Sequence, residues 1–297
     1  MSLTPAAPPR GADHTARLLI SCPDGPGIVA AISTFLFERG ANIVANDQYS
    51  THPEHGMFFM RAAFYLPALE AGDGERTRFE ADLDELAARL GIEWRISYAH
   101  ERRRAALMAS REDHCLLDLL WRQRRGELEM DIECVISNHE DARAEVEALG
   151  VPYHHIPVTP GEKPAAEARA LELLTGHVDL VILARYMQIL SADFLERVGC
   201  PVINIHHSFL PAFAGADPYR RAYDRGVKLI GATGHYATAE LDAGPIIEQD
   251  VQRVGHGYTL EDLVRVGRDL ERLVLARAVR SHLDDRVLVH EGRTIVF

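Results

Sequence analysis

Residues 201–213 read Pro-Val-Ile-Asn-Ile-His-His-Ser-Phe-Leu-Pro-Ala-Phe, an apolar run that turns polar and then meets a proline. This pattern predicts a buried strand over 202–206 that ends in a loop. Side chains alternate along a strand, so Asn204 and His206 should project to the same side, where a crevice can open. An amide donor and an imidazole that converge there suit a carbonyl whose oxygen becomes negative in the transition state.

The sequence around this strand alternates apolar strands with helical stretches. Strands are predicted at 105–109, 132–137, 154–157, 180–184 and 202–206, and helices at 115–124, 140–149 and 165–175. Two further strands (229–236 and 246–251), a long helix (259–282) and a hairpin (287–296) complete the chain. The alternation predicts a mostly parallel, Rossmann-like α/β sheet with right-handed crossovers. Ligands of such sheets bind beyond the carboxyl ends of strands, where Asn204 and His206 are expected.

A different unit precedes this sheet. Strands at 17–21, 42–50, 57–66 and 93–98 and helices at 27–39 and 75–90 give the order βαββαβ. This order predicts a ferredoxin-like domain, with a four-stranded antiparallel sheet and both helices on one face. The expected boundaries are a disordered tail over 1–15, a first domain over 16–99, a charged linker over 100–105 and a second domain over 106–297.

The first strand-to-helix turn, Pro23-Asp-Gly-Pro-Gly27, has two interpretations. Glycines at a helix amino terminus let backbone amides face a ligand, so Asp24, Gly25 and Gly27 are candidates for an effector site. The alternative is a tight turn without a ligand, and the spacing favours neither.

A candidate acid follows a later strand. Asp242 lies in a turn that ends in Gly244 and Pro245, where a carboxylate can orient water and take its proton. Considered singly, an Asn before a loop and an Asp before Gly-Pro are more often turn formers than catalytic groups. The functional interpretation depends on finding Asn204, His206 and Asp242 in one chain.

Four segments together resemble the folate-dependent formyltransferase family in order and spacing. They are Asn-Ile-His at 204–206, Ser-Phe-Leu-Pro at 208–211, Gly-Ala-Thr at 231–233 and Leu-Asp-Ala-Gly-Pro-Ile-Ile at 241–247. Within that family the sequence looks like the formyltetrahydrofolate deformylases, because the transformylases carry Pro after the His. The resemblance covers nearly the whole chain, including an amino-terminal ACT domain, a type that binds amino-acid effectors or pairs with a second copy.

The resemblance implies a reaction and its residues. It implies hydrolysis of 10-formyltetrahydrofolate to formate and tetrahydrofolate, in one-carbon metabolism that supplies formate for purine biosynthesis. Asn204 and His206 would stabilise the oxyanion and Asp242 would activate water. His207 and Ser208 would help to shape the water site.

Further residues are assigned to the folate and to support of the catalytic groups. Folate binding is expected at Arg185, Met187, Gln188, Ile189, Leu190 and Thr238, where apolar side chains could line a slot for a ring. Some relatives have Arg where Gln188 stands, and Met187 alone suits ordinary packing equally well. His235 could orient Asp242, or be a buried structural imidazole.

The turn over 110–116 bears on the acceptor. It reads Ser-Arg-Glu-Asp-His-Cys-Leu and lacks the glycines with which transformylases hold a ribonucleotide phosphate. Glu112 and Asp113 would repel such an anion, so water is the expected acceptor. Three alternatives stay open: a formyltransferase with a larger acceptor, a methionyl-tRNA formylase, and an inactive amino-acid- or folate-binding regulator.

Bulk properties set the remaining expectations. The 297-residue chain has a net charge of -12, which argues against nucleic-acid and anionic-membrane partners. Its four scattered cysteines form neither a zinc pattern nor a disulfide framework. We expect no metal and no permanently bound cofactor, a cytoplasmic protein without a signal peptide or membrane span, and a homo-oligomer paired through its ferredoxin-like domain.

Overall fold

The structure is a computed structural model that describes residues 15–52, 54–70, 72–212 and 217–297. Two compact units are present, which divide between Glu101 and Arg102. The tail predicted over 1–15 lies outside the described residues, except for Thr15, which begins the first strand.

The first unit is the predicted ferredoxin-like domain. Its elements are β1 (Thr15–Pro23), α1 (Ile28–Glu38), β2 (Asn42–Ser50), β3 (Met57–Tyr65), a short 3-10 helix (Pro67–Glu70), α2 (Asp73–Leu90) and β4 (Glu93–Tyr98). The strands form an antiparallel sheet in the order β2-β3-β1-β4. Alternate residues of β1, Leu18 and Ile20, share one core with Ile32 of α1 and Leu83 of α2, because side chains two apart face the same side of a strand.

The second unit contains a seven-stranded sheet in the order β11-β10-β9-β8-β5-β6-β7. Its first elements are β5 (Arg103–Ala109), α3 (His114–Arg124), β6 (Met130–Ser137), α4 (Arg143–Ala148), β7 (Tyr153–His155), α5 (Lys163–Leu174), β8 (Leu180–Leu183) and α6 (Ala192–Arg197). The others are β9 (Val202–His206), α7 (Pro218–Asp224), β10 (Leu229–Tyr236), β11 (Ile246–Arg253), α8 (Leu260–Leu283), β12 (Val287–His290) and β13 (Arg293–Val296).

Strand directions agree with a mostly parallel sheet. The five strands β5 to β9 pair in parallel, whereas β10 and β11 are antiparallel to their neighbours. The predicted α/β class is therefore confirmed. Strand β5 begins at Arg103, inside the range predicted as a linker.

Two short helices were absent from the sequence prediction. Helix α6 has six residues, and its cap residue Ser191 accepts a hydrogen bond from the amide of Phe194. Helix α7 has seven residues and begins at Pro218. A cap serine and a proline at the first helical position were visible signals, but one or two turns show little hydrophobic periodicity.

The long helix α8 packs against β9, β10 and β11. Thr259 and Asp262 form a capping box at its start. Its buried face carries Leu263, Leu270 and Val274 at helical spacing, and Glu271 lies on that same face. In the part of the chain that the structure describes, no helix is long and apolar enough to cross a membrane.

Candidate functional site

The site is built at the carboxyl end of β9. Asn204 pairs with Leu183 of β8 on one side and with His235 of β10 on the other, and His206 pairs with Thr233. Asn204 and His206 both line a cavity of about 250 Å³. The predicted strand end and crevice are therefore present.

The loop between β10 and β11 brings Asp242 to this cavity. Its backbone has φ +57°, in the left-handed region that Asp and Asn tolerate better than most residues. Gly244 is required nearby, because an added Cβ would lie 1.8 Å from the carbonyl oxygen of Tyr236. As a result, Oδ1 of Asp242 lies 3.1 Å from Nδ1 of His206, with both side chains about nine-tenths buried.

The contact with Asp242 sets the orientation of the His206 ring. Nδ1 faces the carboxylate, so this nitrogen carries the proton in the neutral ring, and Nε2 is left with a lone pair. Nε2 is buried and has no hydrogen-bond partner among the described residues. A buried polar atom without a partner at a cavity is a position where a ligand or water can bind.

His235 is hydrogen-bonded to Asn204. Nε2 of His235 lies 3.1 Å from Nδ2 of Asn204, and Nδ1 lies 3.0 Å from the carbonyl oxygen of Tyr236. Among the described residues, both ring nitrogens of His235 therefore have partners other than Asp242, because the antiparallel pairing of β9 and β10 places His235 opposite Asn204. That His235 orients Asp242 stays a prediction. The ring accepts from one N–H of the Asn204 amide, which leaves the other N–H for a ligand.

The residues predicted for folate binding line the same cavity. They are Arg185, Met187, Gln188, Ile189, Leu190 and Thr238. Met187 and Ile189 are 54% and 59% exposed, so this wall is open to solvent. A cavity of about 250 Å³ is below the roughly 300–1,000 Å³ of sites that enclose drug-sized ligands. It is suited to the ring end of a folate, with the remainder of the ligand outside.

The two remaining predicted residues, His207 and Ser208, differ in their position relative to the cavity. His207 lines the cavity, but Ser208 does not, since its hydroxyl donates to the carbonyl oxygen of Ala212 at 2.9 Å. Thr233, which the sequence analysis missed, holds this loop: its hydroxyl donates to Ser208 O and accepts from Leu210 N. The side chain of Ser208 is used within the loop, and its part in shaping the water site stays a prediction.

The three histidines of the site resist protonation. Burial lowers the pKa of His206, although Asp242 opposes this effect. Burial also lowers the pKa of His235. Burial, and then the charge of Arg185, lowers the pKa of His207 to about 3. The three rings are therefore neutral near pH 7.

These pKa values predict acid sensitivity of the fold. The unfolded chain protonates His207 near pH 6.5 but the folded chain only near pH 3, so unfolding takes up a proton between these values. The free energy of unfolding should fall as pH decreases from 6.5, by up to about 1.4 kcal/mol per pH unit for this group. Denaturant unfolding at pH 7, 6 and 5 measures this effect. The free energy of unfolding should fall less with decreasing pH in His207→Gln than in wild type. An equal fall would contradict this prediction, and His256→Gln at an exposed position is the control.

A group of potential metal ligands lies near the site. His114, Cys115 and Glu271 each offer one donor atom, and these three atoms lie within 4.8 Å of one another. However, Nε2 of His114 is hydrogen-bonded to Glu271, and the cationic Arg185 lies against the same carboxylate. Burial, and then Glu271, raises the pKa of the Cys115 thiol, which disfavours the thiolate that binds metals. The absence of a metal stays a prediction.

The candidate effector turn lies at the start of α1. Gly27 is the cap residue, with φ +93°, and Ile28 begins the helix. Ser50 donates a short hydrogen bond to the carboxylate of Asp24, whose backbone amide donates to Gly56 O. The turn has the positive backbone angle for which glycine is suited, but these contacts name no ligand.

Comparison with known proteins identifies both units. The formyl transferase family model matches residues 103–279, and the ACT domain model matches residues 16–64. A curated formyltetrahydrofolate deformylase of Mycobacterium tuberculosis is 60% identical over 95% of this chain and 90% of its own length.

Solved structures give the same result. A formyltetrahydrofolate deformylase from Pseudomonas syringae has a TM-score of 0.89 and 50% identity, covering 95% of this chain and 94% of its own. A glycinamide ribonucleotide transformylase from Symbiobacterium toebii, at a TM-score of 0.63 and 31% identity, covers 66% of this chain and 94% of its own. The deformylase matches nearly the whole chain, which the transformylase does not. The chain therefore belongs to the formyltetrahydrofolate deformylase family, with an ACT domain followed by a formyl transferase domain.

Proposed function

We propose that this protein hydrolyses 10-formyltetrahydrofolate to formate and tetrahydrofolate. The observation that carries this proposal is the His206–Asp242 pair, buried opposite the amide of Asn204 at the end of the slot formed by 185–190. The pteridine would bind in the slot, and the formyl group would lie between Asn204 and Nε2 of His206. Family membership supports the substrate and the reaction.

The geometry supports a sequence of proton transfers. Water attacks the formyl carbon, and its proton passes to Nε2 of His206, whose ring is neutral beforehand and whose Nδ1 faces the carboxylate of Asp242. The resulting imidazolium donates from Nε2 to the oxyanion, and the free N–H of Asn204 donates to the same oxygen. The tetrahedral intermediate collapses when N10 takes the proton from His206, which releases tetrahydrofolate and formic acid, and the acid then ionises to formate.

The turn before α3 supports water as the acceptor. Glu112 lies there, and its carboxylate is 2.6 Å from Nη2 of Arg268 on α8. A cation that could attract the phosphate of a nucleotide acceptor is thus paired with an internal carboxylate. A second carboxylate, the buried Glu271, lines the same cavity as Glu112 and Arg268.

Release of formate tests the proposal. Purified protein is incubated with 10-formyltetrahydrofolate alone, and then with glycinamide ribonucleotide added. Turnover that needs only water supports the proposal. Turnover that requires the nucleotide would instead indicate a transformylase, and no turnover in either condition would indicate an inactive regulator.

His235 is proposed as a positioning residue for Asn204, which gives a further prediction. His235→Ala leaves the amide free to rotate, so kcat should fall by about tenfold, less than the loss from removing the donor itself. Steady-state kinetics of Asn204→Ala, His235→Ala and the double variant measure the coupling. The double variant should match Asn204→Ala. Independent losses that multiply in the double variant would show that His235 acts on another group.

Four further properties are proposed for the protein, one of which is an effector site in the first unit. An amino-acid effector at Asp24, Gly25 and Gly27, a homo-oligomer, a cytoplasmic location and a supply of formate to purine biosynthesis are consistent with the family. Calorimetric titration with each common amino acid would test the effector site, with Asp24→Ala as the matched variant. Absence of heat for every amino acid would reject an amino-acid effector.

A further inference from the structure

A buried carboxylate behind the proposed site takes no part in the mechanism above. Glu271 is 1% exposed on the buried face of α8, between the apolar residues Leu270 and Val274. A carboxylate in such a place is strongly disfavoured unless its charge and lone pairs are compensated. The groups that surround Glu271 must therefore compensate its charge.

Glu271 joins three other segments of the second unit. Nε2 of His114 lies 2.8 Å from Oε2, the hydroxyl of Tyr219 donates a short hydrogen bond to Oε1, and Nε of Arg185 lies 3.3 Å from Oε2. Tyr219 is tightly packed, since a Cβ on Gly267 would lie 2.1 Å from its hydroxyl oxygen. Burial raises the pKa of Glu271, but the hydrogen bond and charge of His114, the charge of Arg185 and the hydrogen bond from Tyr219 together lower it below its usual value, so the group is ionised.

Arg185 connects this network to the folate slot. It follows β8, has φ +65° and is the first residue of the 185–190 wall. Left-handed backbone at a residue with a Cβ is strained and persists only where surrounding contacts hold it. One such contact is Ser110, whose amide donates to Arg185 O and whose hydroxyl accepts from Met187 N at 2.9 Å.

The other contact is ionic. Nε of Arg185 is close to Glu271 without the geometry of a hydrogen bond, and neither Nε nor Nη1 has a hydrogen-bond partner in the described part of the chain. The contact between this guanidinium and Glu271 is therefore one of opposite charges and not a directed hydrogen bond. Arg185 and His207 also line a second cavity of about 280 Å³ on the side of Glu271, into which an unheld side chain could turn.

We propose that Glu271 is a positioning residue for substrate binding: its charge fixes Arg185 and thereby the 185–190 wall of the folate slot, without touching the substrate. This inference rests on the proposed function, because it assigns the slot to formyltetrahydrofolate. It explains why a charged residue lies on the buried face of α8. It also predicts that the effect of Glu271 requires Arg185.

A double-mutant cycle tests this dependence. Glu271→Gln keeps the size of the side chain and removes its charge, and Arg185→Gln removes the partner charge. We expect Glu271→Gln to raise KM for 10-formyltetrahydrofolate by about tenfold, within the range that misplaced binding groups cause, with a smaller change in kcat. In the Arg185→Gln background the same substitution should change KM less than about twofold, because coupled residues are non-additive.

Controls separate positioning from general damage. Tyr219→Phe removes one hydrogen bond to Glu271 and leaves its charge, so KM should stay near that of wild type. Thermal unfolding is measured for every variant. If Glu271→Gln does not fold, Arg185→Gln is compared with the double variant, in which both charges are absent, and their KM values should agree.

Specific outcomes would overturn the proposal. These are an equal increase of KM in both backgrounds, a loss of kcat at unchanged KM, a KM increase in Tyr219→Phe as large as in Glu271→Gln, or unequal KM in the fallback pair. Absence of turnover in wild type would instead contradict the proposed function, so the two failures are distinguishable.

Discussion

Asn204→Ala should lower kcat for formate release by about 100-fold or more, because a preorganised donor to a developing oxyanion typically contributes that factor. KM should change less, since the hydrogen bond strengthens as charge develops on the oxygen. Asn204 is only partly buried at the end of β9, so the variant should fold. Steady-state formate release and thermal unfolding measure the two effects.

The control for Asn204 makes the same chemical change elsewhere. Asn46→Ala alters an exposed residue of β2 in the first unit and should leave kcat unchanged. Full turnover by a folded Asn204→Ala protein would remove Asn204 from the mechanism. Loss of activity accompanied by unfolding would point to the Asn204–His235 contact as structural, and His235→Ala should then lose stability as well.

Asp242→Asn should lower kcat by about 100-fold or more, because general acid–base catalysis typically contributes about 100- to 10,000-fold. The variant keeps the shape of the side chain but removes the carboxylate that stabilises the imidazolium of His206 after this ring takes the proton of water. Asparagine also tolerates the φ of +57° at this position, so the loop should keep its backbone. An alanine would combine loss of the acid with backbone strain, which makes asparagine the more informative substitution.

The measurement for Asp242 compares formate release with folate binding. A fluorescence titration with tetrahydrofolate should give similar Kd values for wild type and Asp242→Asn, because the slot residues are intact. Asp193→Asn, at a side chain that is 70% exposed on α6, controls for loss of a negative charge. Retained kcat in Asp242→Asn would show that transfer of the water proton to His206 does not need the carboxylate of Asp242.

Much of the fold follows from local patterns. Alternating and helical periodicities predicted each strand of both sheets and the long helices, because these elements bury one face and their sequences show it. The two α-helices that were missed, α6 and α7, are six and seven residues long, whereas the equally short α4 lies within a longer predicted helical stretch, 140–149. The antiparallel direction of β10 and β11 depends on where the connecting loops lead the chain.

The candidate site was predictable in its motif and not in its contacts. Asn204 and His206 share one strand, so a period of two placed them together before any tertiary contact was known. Asp242 was matched by motif, but its 3.1 Å approach to His206 depends on the left-handed turn and on Gly244. The hydrogen bond between His235 and Asn204 was not predicted, because strand register across β9 and β10 is not visible in either strand alone.

Glu271 shows what the local sequence pattern reveals and what depends on contacts between distant residues. A charged residue at helical spacing among Leu263, Leu270 and Val274 was a visible irregularity, yet its partners come from positions 114, 185 and 219. The amino-acid order carried the periodicities, the strand-end motif and the family, since these depend on neighbours along the chain. The acid–imidazole contact, the partner of His235 and the buried Glu271–Arg185 pair arose only on folding, because each joins residues that are distant in the chain and whose desolvated charges and hydrogen bonds require close packing.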